Sequence, residues 1–327
     1  MSYFIEYCLG RKGESNLAAS KGSCTHKILE ILAKIKLAQQ NNILYIEDDI
    51  YGHILTNDFN IDDIIKKVYV YYSTNATHLT WAQKDFEDCK QWTYMVLDLN
   101  DGAFNPLKSN IVSPETPFNI VINEPWAKYH YNYSGQILEG QLALKGTMDL
   151  ITEPSPDILE LVDYKTSASR KNWATGKIKT DADLRQDIQL LIYYLAISHL
   201  YPKAKQVIVT IYYIRAGGPV SMCFDNSDIP KALDMLREKF EYIKNTKIPK
   251  LSRDYKCKTF CRQGTTTFDG TNIEPLVEFR NGMLSKKGEF MKKCDQCNYY
   301  INKYGIDRTI KDYTLENFST DFYQKPG

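Results

Sequence analysis

The chain has 327 residues, 43% hydrophobic and 25% charged, enough to bury one large core or a core with a small appended module. Its 41 basic and 40 acidic side chains leave a formal net charge of +1. That excludes a protein that coats nucleic acid by bulk electrostatics, but leaves room for a local basic groove. No run of eighteen apolar residues is present to span a membrane. The amino-terminal MSYFIEYCLGRKGES lacks the apolar stretch of a secretory signal, so a cytoplasmic location is expected (host cytoplasm for a viral protein). Eight cysteines in that setting point to thiols or metal ligands rather than a disulfide framework.

In chain order, residues 20–40 carry Ile28, Leu29, Leu32 and Ile35 at helical spacing, with Ser23 as the expected N-cap. Residues 41–100 mix apolar and acidic segments with few Pro or Gly and read as mostly helical. From about 101 to 135 the pattern turns irregular, with room for one or two strands. Residues 137–151, ILEGQLALKGTMDLI, alternate as a strand does, and 158–165, ILELVDYK, form a short apolar strand. The intervening TEPSPD is turn chemistry, which predicts an antiparallel hairpin. Residues 182–200 read as one strong helix halted before Pro202. Two strands follow at 206–214 and 219–224 across an Ala-Gly-Gly turn, then a helix over 228–246. The tail from about 250 carries Cys257, Cys261, Cys294 and Cys297, many lysines and little periodicity. No Gly-x4-Gly-Lys-Ser/Thr loop marks a nucleotide-driven motor.

The chemistry centres on Asp149 on one predicted strand and Asp163-Tyr164-Lys165 on the next. Phosphodiester hydrolysis needs a divalent cation that polarises the phosphate and lowers the pKa of an attacking water. Hard cations take oxygen ligands, typically one or two carboxylates with waters and substrate phosphate. Residues two apart on a strand share a face, so Asp163 and Lys165 project together. The ammonium is then placed to orient the water or to offset charge building on the phosphate. Alone, an Asp-x-Lys is more often a solvent-facing ion pair, worth ~0–1 kcal/mol.

Four stretches in order give it context: Gly22-Ser-Cys-Thr-His26, Gly146-Thr-Met-Asp149, Asp163-Tyr-Lys-Thr166 and Gln189-Leu-Leu-Ile-Tyr193. Over about residues 20–200 the chain resembles the RecB-like branch of the PD-(D/E)XK nucleases, which includes helicase-associated and CRISPR-associated exonucleases. The resemblance implies that His26, Asp149, Asp163 and the Tyr164 carbonyl ligate Mg²⁺ or Mn²⁺, with manganese favoured by the imidazole. It implies that Lys165 positions the water. It also gives Gln189 and Tyr193, one turn apart on a helix face, a role beside the active site, with Gln186 a further turn back. Ile188, Leu191, Ile192 and Leu195 would form that helix's core stripe. Glu139 and Glu160 receive no role.

After Lys165, Ser167, Arg170, Lys171 and Trp173 form a basic loop suited to phosphate contact and base stacking, and equally suited to being a solvated loop. Cys257-x3-Cys261 and Cys294-x2-Cys297 fit a four-thiolate Zn²⁺ site. Some RecB-like relatives instead hold a [4Fe–4S] cluster with one amino-terminal and three carboxyl-terminal cysteines. Cys8 or Cys24 would supply the first ligand, although those relatives space the last three more tightly than this chain does. Cys89 and Cys223 read as plain thiols.

The expected fold is therefore α/β: a PD-(D/E)XK, restriction-endonuclease-like core with a central mixed sheet flanked by helices. Residues 1–250 would form the nuclease domain, with a helical insertion at about 30–100. Residues 251–327 would form a cysteine-bearing tail packed on it. The expected function is a metal-dependent DNA exonuclease, working on DNA ends or beside a separate helicase or recombination partner. The alternative is a non-catalytic DNA-binding scaffold that keeps the fold.

Overall fold

The computed structural model describes residues 15–133, 136–170, 178, 180–245 and two short segments, 265–266 and 272–273. Its contacts divide the chain into two units, and the larger comprises Ser15–Lys128 and Gln141–Phe240.

That unit begins with α1 (Leu17–Gln40), capped by Asn16, whose side chain accepts from the Ala19 N–H at 2.9 Å. Ser23, the expected cap, lies inside the helix, because Leu17, Ala18 and Ala19 are good helix formers behind a better-placed Asn. His26 therefore sits well along α1 rather than in its first turn. Next, β1 (Tyr45–Asp48) and β2 (Gly52–Leu55) pair as an antiparallel hairpin. This corrects the mostly helical expectation for 41–100. The Asp48 carboxylate accepts from the Ile50 and Tyr51 N–H groups and Gly52 takes φ 85°, so local turn chemistry overrides helix propensity here. Helices α2 (Ile61–Asn75) and α3 (Gln83–Asp98) follow.

The irregular region holds β3 (Ile111–Val121), which is followed by β4 (Lys128–Tyr133) and β5 (Gln136–Gln141). The strand expected over 137–151 is two strands: β5 ends at Gln141 and β6 (Ala143–Ser155) begins after Leu142. The Leu142 N–H leaves the strand to donate to the Ala127 carbonyl at 2.9 Å, which breaks the ladder. Strand β7 (Ile158–Lys165) pairs antiparallel with β6, as the turn predicts, with Asp157 at φ 64° in the connection. A βαβ crossover through α4 (Asp181–Arg185) and α5 (Ile188–Leu200) brings β8 (Gln206–Tyr213) parallel to β7. The single helix expected over 182–200 is broken because Asp187 caps α5, accepting from the Gln189 N–H at 3.0 Å. Strand β9 (Gly218–Phe224) follows a turn with Gly217 and Gly218 at positive φ, and then comes α6 (Ile229–Asn245).

The central sheet has the order β3-β6-β7-β8-β9, mixed in direction through the one parallel pair, β7–β8. Both faces are covered. Leu159, Leu161, Val207 and Val209 pack with α5 and α6 residues such as Leu191, Tyr194 and Leu236. Val162, Tyr164 and Tyr212 pack with Leu29 and Ala33 of α1 and Trp92 and Val96 of α3. A third core joins α1, α2, α3 and the β1–β2 hairpin around Ile28, Ile31, Ile54 and Ile64. Among the described residues, no helix is long and apolar enough to cross a membrane.

The smaller unit comprises Met1–Glu14, Tyr129–Gly140 and Glu241–Gly327. Strands β4 and β5 pair with each other, and the His130 ring meets Glu139 at 2.6 Å. Strands β10 (Thr265–Thr266) and β11 (Asn272–Ile273) form a second short antiparallel pair. The expected cluster or zinc ligands Cys8, Cys257, Cys261, Cys294 and Cys297 lie outside the described residues.

Candidate active site

The alternation of β7 sets the site. Leu159, Leu161 and Asp163 point to the α5 face, while Val162 and Tyr164 point to the α1–α3 face. Asp163 is therefore buried, 2% exposed, rather than standing where the strand emerges into solvent. Its Oδ1 accepts from the Tyr193 hydroxyl at 3.1 Å and from Gln189 Nε2 at 3.4 Å. The same amide donates to the Tyr193 hydroxyl at 2.9 Å. Lys165 Nζ stands 2.6 Å from Asp163 Oδ2 as a charge contact, off the angle of a directed hydrogen bond. Asp163, Lys165, Gln189 and Tyr193, from two of the sequence motifs, thus meet at one point.

Asp149 comes in from β6, where the strand is irregular. Met148 and Leu150 are two apart yet enter opposite cores, whereas a regular strand would send them to one face. On β3 the flanking pairs are Pro114 with Leu150 and Thr116 with Met148, which sets Glu115 opposite Asp149. Glu115 takes φ 44°, a left-handed conformation costly for a residue with a side chain. The paired irregularity brings the two carboxylates together. Asp149 Oδ2 accepts from the Tyr164 N–H at 2.8 Å, and His26 Nδ1 lies 3.2 Å from it. Ligand atoms of His26, Glu115 and Asp149 all lie within 4.8 Å of one another. Gly22, one turn before His26, lets α1 approach the end of β7: a Cβ there would stand 2.9 Å from Thr166 Oγ1.

The electrostatics record crowding of negative charge. Desolvation, then the neighbouring Asp149, push the Glu115 carboxyl up to about 7. Desolvation also raises Asp163, with Lys165 opposing and Asp149 reinforcing. At His26 burial disfavours the charged ring, but the Asp149 hydrogen bond and charge outweigh it and hold the imidazole above its ordinary value. Carboxylates packed this closely, with an imidazole among them, form a donor set suited to a divalent cation.

The family model of the PD-(D/E)XK nuclease superfamily matches residues 1–299. The chain belongs to that superfamily. Nucleases of this superfamily hydrolyse phosphodiester bonds and usually use divalent metals. Among solved structures, the chain is similar to a protein from Eubacterium rectale provisionally described as an exonuclease. The identity is 13% and the TM-score 0.34, over 58% of this chain and 66% of that one, just under two thirds of its length. It is also similar to the protein SSO0001, with 16% identity and a TM-score of 0.24, over 70% of this chain and 91% of that one. No curated protein matches the sequence.

Within the superfamily frame, the sequence motifs missed Glu115. It lies in Ser-Pro-Glu-Thr-Pro, a stretch read as irregular, although Phe118, Ile120 and Ile122 beyond it alternate into the core. That alternation was the available signal. Gln186 does not join Gln189 and Tyr193, because it ends α4 across the helix break and is exposed. Ile188 is 38% exposed rather than part of the core stripe, whereas Leu191 and Leu195 are buried. Glu160 accepts from the Thr210 hydroxyl, away from the site. Ser167 donates to the Ser169 carbonyl at 3.4 Å and Arg170 is half-buried; Lys171 and Trp173 lie outside the described residues. Cys24 and Cys89 are fully buried in the core around α1, which counts against Cys24 as a cluster ligand, and Cys223 is exposed.

Proposed function

We propose that the chain is a divalent-metal-dependent DNA nuclease of the RecB-like branch, acting as an exonuclease. The supporting observation is the convergence of His26, Glu115 and Asp149 next to the Asp163–Lys165 pair. His26, Glu115, Asp149 and Asp163 would hold Mg²⁺ or Mn²⁺, with the imidazole favouring manganese. The Tyr164 carbonyl leaves β7 on the same side as its N–H, which is the side that Asp149 occupies. The bound ion would polarise the scissile phosphate and lower the pKa of a water.

The chain's own groups do the remaining work. The Tyr164 N–H fixes the orientation of the Asp149 carboxylate. Tyr193 and Gln189 fix Asp163 from the α5 side, which leaves its other oxygen toward Lys165. Lys165 is 34% exposed at its side chain, so its ammonium can reach a water or a phosphate oxygen while Asp163 holds it. Preorganised charge of this kind typically contributes about 10²–10³-fold to rate. With no motor motif in the chain, a separate helicase or recombination partner would open duplex substrates.

The test is cleavage of end-labelled linear and closed circular DNA, single- and double-stranded, with Mn²⁺, Mg²⁺ or EDTA. Metal-dependent loss of the linear forms, reduced at least ~10²-fold in Lys165→Ala with the fold intact, is the expected result. Intact substrates that are nevertheless bound would replace this reading with a non-catalytic scaffold. For the tail, elemental analysis of the purified chain separates iron with sulfide from zinc.

A further inference from the structure

The acidic centre would receive a polyanion, and three lysines on α1 and β7 each already face a carboxylate. Lys165 pairs with Asp163, and Lys27 pairs with Glu30, Asp48 and Asp49. Lys21 pairs with Asp85 and Asp88. Arg215 is different. Among the described residues, no carboxylate lies within ion-pairing distance of it, and its side chain is exposed just past the end of β8.

Arg215 is nevertheless held in place. Its guanidinium carbon stands 4.6 Å from the centre of the buried Trp92 ring, and its Nη1 donates to the Thr166 carbonyl at 3.4 Å. A guanidinium stacked on an aromatic face, with one donor tied down, is preorganised, and its remaining N–H groups are left to bind. Thr166 lines the same cleft of about 460 Å³ that His26, Glu115, Lys27, Glu30 and Tyr72 line. Along β7, Thr166 is three residues past Asp163, roughly 10 Å at strand rise. The fork is therefore tied to a residue that lines the cleft.

We propose that Arg215 binds a non-scissile phosphate of the nucleic-acid strand next to the one being cleaved, and so sets the strand's register across the site. This rests on the nuclease reading above. Arg215 would be a positioning residue that acts on the substrate backbone and carries no base preference. Guanidinium matches phosphate with two parallel hydrogen bonds, which a lysine ammonium cannot reproduce.

The experiment measures binding of a fluorescent single-stranded oligonucleotide to the full chain in EDTA across a salt series. Wild type is compared with Arg215→Ala, Arg215→Gln and Arg215→Lys. Each phosphate neutralised adds about 0.7 to the slope of log K against log salt for single strands. Arg215→Gln, which keeps a polar side chain of shorter reach but no charge, is expected to lower the slope by about that amount. Arg215→Ala should do the same, and serves only while its circular dichroism matches wild type. Arg215→Lys should keep the slope but bind more weakly at every salt concentration. In cleavage assays, KM should rise several-fold in Arg215→Gln with kcat little changed.

A slope in Arg215→Gln equal to wild type overturns the contact, and then a merely structural role over Trp92 accounts for Arg215. If wild type also cleaves, the nuclease reading survives that loss. If the slope falls as expected but no metal supports cleavage by wild type, the phosphate contact stands and the nuclease reading is what fails.

Discussion

Asp48 and Asp163 are both aspartates with almost no exposed surface, 6% and 2%, yet their surroundings drive them in opposite directions. Burial would raise Asp48, but Lys27 at 2.9 Å and the Ile50 and Tyr51 N–H groups outweigh it, and the carboxyl lies below its ordinary value. Lys34 adds a second ammonium at 3.4 Å. At Asp163 desolvation wins: Lys165 and two neutral donors do not offset it, and Asp149 adds like charge. One carboxylate is over-satisfied and ties the β1–β2 hairpin to α1. The other is under-neutralised beside further acids. A fold has no stability reason to keep the second arrangement, which supports the proposal of a cation and phosphate site there.

The contrast can be broken from either side. The largest effect should come from Asp163→Asn, with cleavage falling about 10²–10³-fold while the thermal midpoint is not lowered. A large drop in midpoint would mean that Asp163 is structural and would erase the distinction. Asp48→Asn should instead cost ~1–3 kcal/mol in denaturant unfolding, because a buried carboxylate that faces Lys27 and Lys34 and accepts from the Ile50 and Tyr51 N–H groups loses its charge, while Lys27 keeps Asp49 and Glu30. Its folded fraction should still cleave. Gly22→Ala is expected to have a mixed and smaller effect. The new Cβ must displace Thr166, at a cost of ~1–3 kcal/mol, while Ala gains back about 1 kcal/mol of helix propensity. Cleavage should fall more than stability, since α1 carries His26, and unchanged cleavage would show that the close approach of α1 to β7 does not matter.

The smallest effect is in pH dependence. Because the folded value of Asp48 is below its unfolded value near 3.8, its contribution to stability is present above that pH. It is lost as pH falls through the lower, folded value. The deficit of Asp48→Asn relative to wild type should therefore shrink in acid, as read by unfolding curves at successive pH values. A deficit that stays constant down to the lowest pH would place the effect in packing rather than charge.

Much of this site was legible because it is built from regular elements with side chains at fixed periods. Asp163 and Lys165 two apart on a strand, and Gln189 and Tyr193 four apart on a helix, meet as their spacing implies. The mixed sheet followed from the alternation in β6 and β7 and from the helical segment between β7 and β8. What stayed hidden depends on backbone departures that residue types do not announce. Glu115 enters the site only because its φ is positive opposite an irregular Asp149, and nothing in Pro-Glu-Thr-Pro specifies that. The break between α4 and α5 hid in an apolar pattern that resumes past Arg185, Gln186 and Asp187, since Leu184 and Leu190 are buried on either side. The β1–β2 hairpin hid among acidic residues, although Asp48-Asp49 ahead of Gly52 was a turn signal that composition alone obscured.

The central claim is that His26, Glu115 and Asp149 form a cation site, and Mn²⁺ binding followed by electron paramagnetic resonance of the free ion tests it directly. Wild type and Asp48→Asn should bind alike, whereas Glu115→Gln and Asp149→Asn should each weaken binding by about tenfold or more. Equal binding by all four proteins would contradict the account, since the carboxylate crowding around Asp149 would then have no cation to serve.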